Sequence, residues 1–144
     1  MKPANPRILT LNGGSSSIKF ALYETGNPMV RKLHGTVDRI GGSEMHLTFS
    51  DLNGNQQGTF GFAAANHKSP VDSLIDWLEG EHGAASVEAV GHRVVHGMKH
   101  IEPELVTPKL LDELHRIRLF APDHLPREIE LIEAFRQDLL RAAQ

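Results

Sequence analysis

The sequence predicts a mixed β-sheet with helices packed on it, an α/β fold. Three observations carry that prediction. Near the start, Ile8, Leu9 and Leu11, then Ile18, Phe20 and Leu22, form two apolar runs of strand period around a short polar loop. Further on, Val71, Leu74, Ile75 and Leu78, then Leu110, Leu111, Leu114 and Ile117, then Ile129, Ile132, Phe135 and Leu139 recur at helical spacing. One more strand pattern, Val87 to Val95, separates the first helical pattern from the second. The predicted order is therefore strands, helix, strand, helix, helix, which suits a sheet with helices on it.

Taken in order, residues 1–6 form a short polar tail with two prolines. Arg7 to Tyr23 makes a strand–loop–strand unit. Glu24 to Pro28 is a turn cluster, and Val30 to Ile40 a third strand ending at Gly41-Gly42. Met45 to Phe49 and Gly58 to Phe62 predict a hairpin around Asn53-Gly54-Asn55, an elaboration at the sheet edge. After a linker at 63–68, Ser69 caps the first helix. Pro70 fits its first position and Asp72 completes a capping box. Gly80 and Gly83 end it. A polar loop over 99–106 precedes Thr107, an N-cap followed by Pro108. Residues 120–126 connect to the last helix, which Pro126 begins. The 144 residues read as a single domain, with a β-rich half at 7–62 and a helix–strand–helix–helix half at 69–144.

Composition narrows the function classes. An apolar content of 40% supports a globular core, and a net charge of −3 argues against nucleic-acid or anionic-membrane partners. The absence of cysteine excludes a disulfide framework and a thiolate site. No apolar run reaches membrane-spanning length, and the start lacks a signal-peptide core. A cytoplasmic protein is expected.

The chemistry concentrates at two places. Asn12, Gly13, Gly14, Ser15, Ser16 and Ser17 lie between the first two strands, with Lys19 just beyond. Two glycines let successive N–H groups turn toward one anion, the hydroxyls add donors, and Lys19 adds charge. The same composition also makes an ordinary hairpin turn. It is neither a P-loop, since Ile18 precedes Lys19 and a strand follows, nor a G-x-G-x-x-G fingerprint. The second place is GHRVVHG, residues 91–97. Arg93 at a strand end can grip a carboxylate or phosphoryl group with two parallel N–H bonds, or form a structural ion pair. His92, His96 and His100 are spaced by four, as metal ligands on a helix would be. In a strand, His92 and His96 share the face opposite Arg93 and Val95, and core or hinge histidines become the alternative.

The strings ILTLNGGSSSIKF (8–20), GHRVVHG (91–97) and FAPDHLP (120–126) resemble, in order and spacing, the N-terminal motifs of the acetate kinase family. The resemblance implies an actin-like, ribonuclease-H-like N-terminal domain, short of its last strand. It covers nearly the whole chain but only about the first third of a complete family member. It implies the phosphorylation of acetate, or of propionate or butyrate, by ATP with Mg2+. By residue-wise carry-over, Asn12 positions magnesium and phosphate, and Ser15, Ser17 and Lys19 surround the transferred phosphoryl group. Arg93 and His124 act at the reacting centre, and Val95 lines the acyl pocket. The chain departs from the family pattern at Asp123, where an apolar leucine usually lines that pocket, at Leu125 in place of asparagine, and at Met98 in place of glycine. The adenosine site and further catalytic groups are expected in a C-terminal domain outside these residues. This chain alone is then expected to be incomplete and inactive. The alternative is a catalytically inactive remnant or an anion-binding module.

Overall fold

The computed structural model describes residues 6–13, 17–38, 44–51, 57–63, 70–81, 87–94, 102–120, 122 and 125–142. Six strands form one sheet: β1 (Arg7–Gly13), β2 (Ser17–Glu24), β3 (Val30–Asp38), β4 (Glu44–Asp51), β5 (Gln57–Ala63) and β6 (Val87–Arg93). The spatial order is β5-β4-β3-β2-β1-β6. The first five strands make an antiparallel meander. β6 joins β1 in parallel after the crossover through α1 (Pro70–Glu81). Then come α2 (Pro108–Ile117), a 3-10 turn over Arg118–Phe120 and α3 (Leu125–Ala142). The β4–β5 hairpin occupies the sheet edge, as expected of it. β3 is described as far as Asp38, and the expected end at Ile40 lies outside the described residues. The Asn53 turn and the Ser69 cap lie outside the described residues.

Period-two alternation gives the sheet two unlike faces. Leu9 and Leu11 of β1, Ile18, Phe20 and Leu22 of β2, Leu33 and Val37 of β3 and Leu47 of β4 turn inward. They meet Val71, Leu74, Ile75, Trp77 and Leu78 of α1 and Leu131 and Phe135 of α3 in one core. Trp77 is central to it. Its ring packs on Phe20 at 5.8 Å and on Phe49 at 5.0 Å, both tilted toward edge-on geometry. Gly35 lies beneath, paired with Phe20 on one side and Phe49 on the other. A Cβ there would sit 2.4 Å from the Thr48 carbonyl oxygen and 2.6 Å from Phe20 Cζ. Only glycine lets the ring lie this close to the strand.

A second cluster, Leu111, Leu114, Leu125, Ile129 and Ile132, ties α2 to α3. Thr107 caps α2: its Oγ1 accepts from Leu110 N at 3.1 Å, and Pro108 occupies the first helical position. On the outer side of the same pair, Arg118 Nη1 contacts His115 Nδ1 at 3.2 Å and His115 Nε2 contacts Glu133 Oε1 at 2.5 Å. With the arginine donating to Nδ1, the ring carries its proton on Nε2 and donates it to the carboxylate. α3 starts at Leu125, one residue before the expected Pro126, and the buried Glu128 stands in its first turn, where negative charge suits the helix dipole. No helix among the described residues is long and apolar enough to cross a membrane.

Candidate functional site

The helices cover one face of the sheet. The candidate site lies on the other. Register places Asn12 of β1 beside Lys19 of β2 and beside Arg93 of β6. Neighbouring strands run about 4.8 Å apart, so the three residues form a row roughly 10 Å across. Arg93 and Lys19 are exposed, and Asn12 between them is half-buried. Two segments that are 80 residues apart in the chain are thus brought side by side by the parallel β1–β6 pairing. Ser17 lies two residues before Lys19 on the same face, at the loop end of β2, and is paired with the exposed Asp38.

A concave trough of about 640 Å3 opens over this row. Thr10, Ala21 and Gly91 form its floor, Lys19, Arg31 and Arg93 bring positive charge to it, and His34 lines it as well. Among the described residues, no aspartate or glutamate lines it. Arg93 makes no ion pair among the described residues, so the structural role open to a strand-end arginine finds no partner there. The arrangement is an anion cradle: two cations flank an amide that can both donate and accept.

His92 turns the opposite way. It faces α3, with its ring 6.4 Å from that of Phe135 and edge-on to it. Burial pushes its pKa down from 6.5 to about 4, so the ring is neutral near pH 7. Its Nδ1 is buried without a hydrogen-bond partner. His92 is thus half-buried and packed on a core residue, while His96 and His100, its partners in the metal reading, lie outside the described residues. No group of three or more His, Cys, Asp or Glu side chains able to hold a metal ion occurs among the described residues.

Ser15, Val95, His96, His100, Asp123 and His124 lie outside the described residues, while Asn12, Ser17, Lys19 and Arg93 are brought together at one end of the open face. Motif reading did not single out Arg31, His34, Thr10 or Thr36, which line the same trough. The alternation of β2 and β3 carries a signal for part of this, since polar residues fall at every second position, but which face stays uncovered depends on the helices.

Comparison with known proteins agrees with these features. The profile of the Acetokinase family matches residues 7–144. Acetate kinase from Geobacillus sp. (strain WCH70) is 36% identical over 140 residues, which is 92% of this chain and 34% of that protein. Propionate kinase from Citrobacter rodentium is 36% identical over 137 residues, 91% of this chain and 33% of that protein. Among solved structures, a propionate kinase from Francisella tularensis superimposes with a TM-score of 0.78 at 27% identity, over 93% of this chain and 34% of its own. Porphyromonas gingivalis acetate kinase shares the fold, with a TM-score of 0.77 at 24% identity over 93% and 35%. The chain spans about a third of the length of these relatives. With its mixed sheet, its strand-end motifs and a family match over nearly every residue, the chain belongs to the acetokinase family.

Proposed function

We propose that this chain is the N-terminal part of a kinase that phosphorylates a short carboxylic acid: ATP plus acetate giving ADP plus acetyl phosphate. The single observation that carries the reading is the Arg93–Asn12–Lys19 row on the uncovered face. In the proposed reaction a carboxylate oxygen attacks the γ-phosphorus. A new O–P bond forms, the bond to the β–γ bridging oxygen breaks, and ADP leaves with that electron pair. Such a transfer needs position and charge stabilisation more than covalent chemistry. Arg93 would hold two oxygens of the carboxylate or of the transferring group with parallel N–H bonds. Lys19, Ser15 and Ser17 would neutralise and orient the phosphoryl oxygens, and His124 would donate a hydrogen bond to the reacting group. Val95 would line the acyl pocket, beside Asp123.

Magnesium prefers oxygen ligands and keeps several waters when it travels with phosphates. Asn12 supplies one side-chain oxygen in the row, and no acidic side chain among the described residues lines the trough. These residues fit an ion carried by the nucleotide, with Asn12 as its protein contact, and do not fit a resident all-protein site. The adenosine end would be bound by the C-terminal portion that the relatives possess.

Acetate kinase and propionate kinase relatives are equally similar at 36% identity, so similarity does not separate the short acids. The test is acyl-phosphate formation by the protein of the natural reading frame that contains this segment, with acetate, propionate and butyrate, ATP and magnesium. Arg93→Ala should lower kcat/KM at least about a hundredfold, because removing one preorganised donor to developing charge costs that order. A folded protein with no acyl phosphate from any of the three acids would sink this reading and leave the anion-binding module.

A further inference from the structure

The Arg93–Asn12–Lys19 row accounts for one end of the trough. The β3 side is unexplained. Arg31 and His34 line it there, two cationic or protonatable groups one rung or more away from the row. His34 lies two residues from Thr36, the partner of Lys19, and so about 7 Å along the strand.

Arg31 reaches this face by a local irregularity. Continuing the pairing of Leu22 with Leu33 would set Tyr23 against Lys32 and turn Arg31 toward the covered side. The register shifts between Leu22 and Tyr23 instead, and Tyr23 pairs with Arg31. A bulge of this kind re-aims the side chains beyond it. Between the Arg93–Asn12–Lys19 row and Arg31 the register aligns Gly91, Thr10, Ala21 and His34 across four strands. Three of these are small, so no side chain among the described residues fills the gap. None of Lys19, Arg31, His34 and Arg93 makes an ion pair among the described residues. A chain with a net charge of −3 thus gathers Lys19, Arg31 and Arg93 in one trough that no carboxylate among the described residues lines. Such a concavity lowers the potential energy of an anion and raises its local concentration.

We propose that Arg31 and His34 form a second oxyanion subsite for a free phosphate-class anion, separate from the Arg93–Asn12–Lys19 row. The subsite stands on β3 and does not depend on the kinase reading.

The test is a titration of the 144-residue chain with inorganic phosphate at low ionic strength, followed by amide 1H–15N shifts. The amides of 31–36 should move in a saturable way, and those around 12–19 separately. The double variant Arg31→Gln/His34→Gln should weaken the β3 response roughly tenfold or more, the loss expected for one or two charge-assisted bonds. It should leave the response at 12–19 in place, with an unchanged circular dichroism spectrum confirming the fold. Lys19→Met with Arg93→Met should do the reverse. Loss of the row's response in wild type with the β3 response intact would count against the kinase reading and not against the subsite. The proposal is overturned by β3 shifts that the double variant keeps, by equal shifts from sodium chloride at matched ionic strength, or by the absence of any β3 shift. Co-sedimentation with phosphatidic acid vesicles, without a response to free phosphate, would also overturn it and assign the trough to a lipid headgroup.

Discussion

Acidification should destabilise this fold through His92. The ring is half-buried against Phe135 with a buried, unpartnered Nδ1, and its pKa falls from 6.5 to about 4 on folding. Between these two values the unfolded chain binds a proton that the folded chain does not. Stability is therefore fully present above about pH 6.5, falls by about 1.4 kcal/mol per pH unit below it, and levels off near pH 4. The total is about 3 kcal/mol, a substantial part of the 5–15 kcal/mol typical of a domain. Every other ionisable side chain is common to wild type and a His92 variant, so the assay is a difference. Urea unfolding of wild type and of His92→Leu would be followed across this range. The wild type should lose about 3 kcal/mol more than the variant, with its m-value unchanged. In parallel, the His92 ring C2–H resonance should titrate with a midpoint near 4. A midpoint near 6.5, or equal acid losses in both proteins, would refute the assignment of a neutral, desolvated ring.

Gly35→Ala should destabilise by about 1–3 kcal/mol or prevent folding, because the new methyl meets the Thr48 carbonyl oxygen at 2.4 Å and Phe20 Cζ at 2.6 Å; an unchanged thermal midpoint would show that β3 and β4 separate at no cost. Trp77→Ala should remove the ring that bridges Phe20 and Phe49 and cost about 3–5 kcal/mol in urea unfolding. Thr107→Ala should cost about 1 kcal/mol, the usual worth of an N-cap, with the loss of amide protection confined to the first turn of α2.

Much of the architecture is legible in the residue pattern. Ile18, Phe20 and Leu22 alternate with Lys19, Ala21 and Tyr23, and the structure buries the first set. Thr107 and Pro108 mark the start of α2 correctly because capping and fixed φ act locally. The spacing of Val71, Leu74, Ile75 and Leu78 identifies the buried face of α1, but Trp77 lies on it as well and is absent from that pattern. Its burial depends on Phe20 and Phe49, which are more than 25 residues away in sequence. The register bulge that turns Arg31 outward has no signature in single-residue preferences, since it arises where β2 and β3 fit each other.

The candidate site divides along the same line. The motifs around Asn12 and Arg93 point to anion chemistry from residue types alone, because an amide, hydroxyls, lysine and arginine are what a phosphoryl group or carboxylate requires. Their adjacency is a tertiary fact. It exists because the crossover through α1 returns β6 in parallel beside β1, in a register that sets Arg93 against Asn12. The two fates of neighbouring side chains in β6 were settled at the same step. Alternation dictates that His92 and Arg93 point to opposite faces, while the docking of α1 and α3 decides which face is covered. One residue consequently became a desolvated, neutral group packed on the core, and the next an exposed cation in an open trough.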